Sequence, residues 1–207
     1  MRVERVLLKI DKALIKLFKN GVVLSICKHC RIRPNGLTLF RMGLIPFIVL
    51  SYLNDRVEIS CVLFLIAAIL DAFDGPLARA TGAESKIGAI LDPLADKLLF
   101  IFTLYLFYSY VWRYLFWALI SVEISLMVLR GLIWYIYKKR KKSQPAMKAN
   151  YYGKFKFAIE AISVTLLYIH IIFDESLMLG INILLCIALG FSFMSAIKQG
   201  QKLPKGS

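Results

Sequence analysis

The sequence predicts an all-α integral membrane protein, with six transmembrane helices preceded by an N-terminal amphipathic interfacial helix. Three observations carry that expectation. The 207 residues are 59% hydrophobic, with a mean hydropathy of +0.67, well above the near-half apolar content of soluble domains. Six apolar stretches approach the roughly 20 residues that cross a bilayer as a helix. The formal net charge of +14 is spread unevenly over the segments between those stretches. Such hydrophobic content excludes a disordered chain, and four cysteines in this length do not make a disulfide scaffold. No basic soluble segment is left over to bind nucleic acid. The expected partners of the cations are therefore membrane lipids and phosphorylated substrates.

Residues 1–33 form the N-terminal juxtamembrane segment. Val3, Val6, Leu7, Ile10, Leu14, Leu17 and Phe18 recur at helical spacing, interleaved with Arg2, Arg5, Lys9, Lys12, Lys16 and Lys19. That pattern suits a helix lying in the cytoplasmic headgroup layer, although a helix packed on protein has the same periodicity. Residues 34–198 form one six-helix domain with spans at Leu37–Leu53, Ile59–Ala78, Ile87–Val111, Tyr114–Tyr137, Phe157–Phe173 and Leu177–Ile197. Residues 199–207 are a cytoplasmic tail. No cleavable signal peptide is expected, because the first apolar run begins late and lacks a small-residue cleavage site.

Lysine and arginine bias sets the orientation. Much of the positive charge lies between Arg2 and Arg41. The segment after span four adds Lys138, Lys139, Arg140, Lys141, Lys142, Lys148, Lys154 and Lys156, and the tail adds Lys198, Lys202 and Lys205. The opposite loops hold only Arg56 and Arg113, beside Asp55, Glu58, Asp174 and Glu175. Both termini are then cytoplasmic in a multi-pass protein of the cytoplasmic membrane. Tyr108, Tyr110, Trp112, Tyr114 and Trp117 supply the far aromatic belt, and Trp134, Tyr135, Tyr137, Tyr151 and Tyr152 the near one.

Spans two and three carry charges that a bilayer disfavours, at about 2.5–3.5 kcal/mol for each ionised aspartate at a helix centre. Asp71 and Asp74 are three apart, and Asp92 and Asp96 four apart, so each pair shares a helical face. A short connection makes the two spans antiparallel neighbours, and both pairs converge on a cavity open to the cytoplasm. Four carboxylates without His or Cys suit hard cations, Mg²⁺ or Mn²⁺. Two divalent ions would neutralise them and clamp a phosphoryl centre. A salt-bridged cluster with Arg79, Lys86 and Lys97 is the bland alternative. Gly75 and Gly88 permit close approach of a ligand or of a neighbouring helix.

Together these residues read Asp71-x2-Asp74-Gly75-x2-Ala78-Arg79-x8-Gly88-x3-Asp92-x3-Asp96. The pattern resembles the signature of the CDP-alcohol phosphotransferase family at every defined position. The stretch Pro34 to Arg41, with Asn35 and Thr38, and the run Leu91 to Lys97 are similar to the branch that makes phosphatidylglycerophosphate and to its cardiolipin-synthase relatives. The resemblance implies a six-helix homodimer with a cytoplasm-facing cavity. It also implies a CDP-lipid donor, CDP-diacylglycerol, and a small alcohol acceptor. By resemblance, Asp71, Asp74 and Asp92 are metal ligands, while Asp96 is both ligand and catalytic base. Gly75, Ala78, Arg79 and Gly88 hold the CDP moiety, with Asn35 and Thr38 bordering it.

On the acceptor side the match loosens. Val128-Leu129-Arg130-Gly131 stands where that branch shows Arg-Glu, Phe157 replaces a Thr after Gly153-Lys154-Phe155-Lys156, and Glu160 stands near a usual Gln. Arg130, Lys154 and Lys156 are the cations available to bind an acceptor phosphate. The expected acceptor is sn-glycerol 3-phosphate, with phosphatidylglycerol, an inositol phosphate or serine as alternatives. Snorkelling to headgroups would equally account for the two lysines.

Other signals are weaker. Cys27-x2-Cys30 around His29 lacks the further partners of a structural zinc site, and Cys61 and Cys186 lie in apolar spans. His170 reads as a packed or interfacial side chain. Glu123 and Glu160 are intramembrane acids that could pair with Arg130 or with the basic segment. An intramembrane prenyltransferase also uses aspartates, Mg²⁺ and a diphosphate, but on well-separated helix pairs of a longer chain. A divalent-cation transporter would show interrupted spans and inverted repeats, which this sequence lacks.

Overall fold

Buried residues recur at intervals of three and four along the chain, and that stripe determines which face of each helix packs. The computed structural model describes residues 34–81, 88–139, 151–173 and 176–201. The expected amphipathic helix over 1–33 and most of the tail lie outside the described residues. In chain order the elements are α1 (Pro34–Leu53), α2 (Val57–Thr81), α3 (Gly88–Leu106), a 3₁₀ turn (Tyr108–Tyr110), α4 (Arg113–Lys139), α5 (Tyr151–Phe173) and α6 (Met178–Gly200). No strand occurs among the described residues. Among the described residues, four helices contain stretches long and apolar enough to cross a membrane: Gly36–Leu53, Arg113–Tyr137, Phe155–Phe173 and Met178–Gly200. The chain divides into two compact units between Leu99 and Phe100.

In the first unit, α1 packs on α2. Thr38, Arg41, Ile45 and Ile48 form the inner stripe of α1, facing Ser60, Cys61, Phe64 and Ala67 of α2. The Ser60 hydroxyl donates to the Ile48 carbonyl at 2.9 Å, a cross-link that gives the hydroxyl an acceptor in apolar surroundings. Leu39, Phe47 and Leu50 on α1 and Ile59, Val62 and Ile69 on α2 are exposed. So much outward apolar surface suits lipid rather than water. The turn between the helices follows from one residue. Asp55 takes a left-handed φ of 58°, while its N–H reaches the Tyr52 carbonyl and that of Arg56 the Ser51 carbonyl. This is a Schellman cap, and Asp is among the few non-glycine residues that tolerate it.

The second unit is built on α4, α5 and α6. Leu119, Glu123, Leu126 and Ile133 line the buried stripe of α4, Ser163, Val164, Leu167 and Tyr168 that of α5, and Ile181, Leu185, Ala188, Ser192 and Ser195 that of α6. The small residues at the end of the α6 stripe permit close helix approach, as in membrane bundles. Ser125, Ser163, Thr165 and Ser192 donate to carbonyls one turn back on their own helices, which satisfies their hydroxyls without water.

Span three was expected to run to Val111, but α3 stops at Leu106 and gives way to the 3₁₀ turn. Asn182, buried on α6, explains the stop. Its Oδ1 accepts the Trp112 N–H at 2.9 Å, and its Nδ2 donates to the Met178 and Tyr110 carbonyls at 2.8 and 3.5 Å. The turn's backbone is thereby satisfied without continuing the helix. Phe107 meets Tyr168 edge-to-face at 4.8 Å and Tyr110 meets His170 at 5.6 Å. His170 is thus a packed aromatic partner, as its position suggested.

Span five also differs at its start. The helix begins at Tyr151, so Lys154 and Lys156, grouped above with the basic segment, lie within it. Their charges interrupt the apolar run but not the helix, because lysine has good helix propensity.

Candidate active site

Arg41 lies two turns into α1 on the stripe that packs inward. Its Nη1 pairs with Oδ1 of Asp71 on α2, and its Nη2 lies 2.9 Å from Oδ1 of Asp96 on α3. All three residues belong to the first unit. The guanidinium is fully buried, whereas the Asp71 and Asp96 side chains are 18% and 31% exposed. A planar fork can engage two carboxylates from different helices at once. A cation removed from water persists only when paired in this way. The accessible side of the group is the side of the carboxylates.

Asp71 and Asp96, the outer members of the two aspartate pairs, therefore share one partner. Asp74 lies one turn further along α2 and Asp92 one turn earlier on α3. Gly75, Ala78 and Arg79 follow on α2, Gly88 opens α3, Asn35 lies in the first turn of α1 and Lys154 in the first turn of α5. The side chains of these eight residues lie outside the described residues, as do Lys86, Cys27 and Cys30. Among the described residues, no three His, Cys, Asp or Glu side chains group together to hold a metal. The donors that do come together are carboxylate oxygens. That set fits Mg²⁺ or Mn²⁺ and does not suit softer metals. Thr38 is fully buried one turn before Arg41.

A second charged group lies in the other unit. Lys156 on α5 pairs with Glu123 on α4, and with Glu160 one turn along its own helix at 3.4 Å. All three are nearly inaccessible, at 9%, 1% and 3% of side-chain surface. The sequence left the partner of the two glutamates open, and the structure names Lys156. Arg130 is half-buried on α4, two turns past Glu123. Cys61 and Cys186 are free thiols on α2 and α6.

Sequence reasoning counted Arg41 in the N-terminal positive charge and as the end of the Pro34–Arg41 stretch, and gave it no partner. The missed signal was available: Arg41 is the sole cation within the apolar run Leu37–Leu53, and a charge so placed needs a partner.

The model of CDP-alcohol phosphatidyltransferase matches residues 31–194. The chain belongs to that family. The match takes in both units and extends well past the aspartate signature. Among similar proteins, one from Wigglesworthia glossinidia brevipalpis is named CDP-diacylglycerol--glycerol-3-phosphate 3-phosphatidyltransferase. It is 38% identical over 103 residues, covering 48% of this chain and 54% of that one. A protein of the same name from Aquifex aeolicus is 35% identical over 135 residues, covering 63% and 72%. Another from Salmonella typhimurium is 51% identical over 69 residues, covering 32% and 38%. The chain thus spans about half the length of the Wigglesworthia relative, more of the Aquifex one and less of the Salmonella one.

Proposed function

We propose that this chain transfers a phosphatidyl group from CDP-diacylglycerol to sn-glycerol 3-phosphate, releasing CMP, as a step of phospholipid biosynthesis. The observation that carries the reading is the meeting of Asp71 and Asp96 at Arg41, within a family whose similar members are named for that transfer. The acceptor hydroxyl gives its proton to Asp96 while its oxygen bonds to the lipid-side phosphorus. The bond from that phosphorus to the bridging oxygen breaks, and CMP leaves with the electron pair. Asp71, Asp74, Asp92 and Asp96 would hold two Mg²⁺ or Mn²⁺ ions. When bound, the ions offset charge on the non-bridging oxygens and on the departing CMP. Gly75, Ala78, Arg79 and Gly88 hold the CDP portion, bordered by Asn35 and Thr38.

Arg130, Lys154 and Lys156 remain the acceptor-side candidates. In this reading α2 and α3 complete six spans, both termini are cytoplasmic, the cavity opens to the cytoplasm and the enzyme is a homodimer. Cysteine labelling at Lys139 and Arg113 checks the topology: reagent confined to one side should reach one position and not the other.

An acceptor panel tests the reaction. Purified protein, CDP-diacylglycerol and Mg²⁺ or Mn²⁺ should release CMP when glycerol 3-phosphate is added, with KM for glycerol 3-phosphate raised by Arg130→Ala. Release stimulated only by phosphatidylglycerol, serine or an inositol phosphate would replace the acceptor. Absence of CMP release with every alcohol would remove the transferase reading.

A further inference from the structure

The mechanism above gives Arg41 no part, yet its burial and its contacts call for one. The guanidinium is fully buried, and the two carboxylates it holds are partly open. The cation therefore lies on the protein side of the carboxylates, beneath them. It is held away from water when a ligand arrives, because it sits on the packed face of α1, on the same buried stripe as Thr38 and Ile45. A charge fixed in that position acts on whatever binds to the carboxylates from the open side, and with little screening.

We infer that Arg41 is a built-in counter-cation of the divalent-ion site. It holds Asp71 and Asp96 together whether or not ions are bound, and it limits how tightly the carboxylates bind them. This rests on the reading of the aspartates as metal ligands. The arrangement has a purpose: a buried guanidinium beneath the ions adds positive charge toward an anionic diphosphate donor. It also spares the protein a set of mutually repelling carboxylates inside an apolar bundle when the ions dissociate.

The test uses the full chain purified in detergent, with two readouts that do not depend on turnover. Mn²⁺ affinity is followed by the electron paramagnetic resonance of free Mn²⁺, and thermal unfolding is compared in EDTA and in excess Mn²⁺. Arg41→Met, or Arg41→Gln as a second neutral replacement that keeps hydrogen-bonding capacity, should bind Mn²⁺ about tenfold tighter or more. Its unfolding temperature should fall in EDTA and recover in Mn²⁺. Arg41→Lys, which keeps the charge, should resemble wild type in both. Weaker Mn²⁺ binding by the neutral variants would overturn the inference, because Arg41 would then act by shaping the ligands. Unchanged affinity and unchanged EDTA sensitivity would overturn it too, while leaving the metal site standing. A wild-type chain that binds no Mn²⁺, or one whose binding survives Asp71→Ala together with Asp96→Ala, would overturn the metal site itself and the inference with it.

Discussion

The two units hold the same charged set in different settings. In the first, one guanidinium meets two carboxylates drawn from α2 and α3, and the carboxylates keep 18% and 31% of their surface. In the second, one ammonium meets two carboxylates from α4 and α5, and all three groups are closed off. The pairing does not separate the two, since each buried cation meets two acids. Access does. A carboxylate open on one side has room for an ion or a proton donor there, whereas an enclosed carboxylate has none. The first arrangement suits chemistry and the second suits holding helices together.

Three predictions press on this contrast. The largest effect belongs to the open set: Asp71→Ala should reduce CMP release to background, because in the proposed mechanism it would remove a metal ligand. Near-normal turnover would make the open carboxylates structural after all. Next comes the closed set. Lys156→Met leaves two buried carboxylates facing each other and should cost about 3–5 kcal/mol of stability, seen as a lowered unfolding midpoint in detergent. A stable Lys156→Met chain that has lost glycerol 3-phosphate dependence would move Lys156 from the structural class to the acceptor site. The smallest effect sharpens the comparison with an uncharged pin. Asn182→Leu strips partners from the Trp112 N–H and the Tyr110 carbonyl and should cost about 1–3 kcal/mol. A loss as large as that of Lys156→Met would mean that charge adds nothing to the closed triad.

The helices themselves were legible because apolar runs of bilayer length leave few other structures possible. The aspartate signature was legible in its spacing, and His170 was read as a packed or interfacial side chain, of which its contact with Tyr110 supports the first. What periodicity could not supply was the partner of a long side chain. Arg41 reaches α2 and α3, and Lys156 reaches α4, only because of how each helix is rotated about its axis, and no single helix encodes that rotation. The early end of α3 was hidden for a related reason. Tyr108 to Val111 carries no glycine or proline to mark a stop, and the residue that pins the turn there, Asn182, lies on α6. A lone asparagine in an apolar run was the available cue.

The central claim is that the open carboxylates react and the closed ones do not, and it is tested most directly by assaying Asp96→Asn and Glu160→Gln side by side. The readout is CMP release from CDP-diacylglycerol at saturating glycerol 3-phosphate and Mg²⁺. Both substitutions replace a carboxylate by its amide with almost no change of shape. Asp96→Asn should lose about 10²–10⁴-fold in kcat, the range expected for a missing general base, while Glu160→Gln stays within a few-fold of wild type. Retained turnover in Asp96→Asn together with collapse in Glu160→Gln would contradict the account and place the reaction at the buried triad.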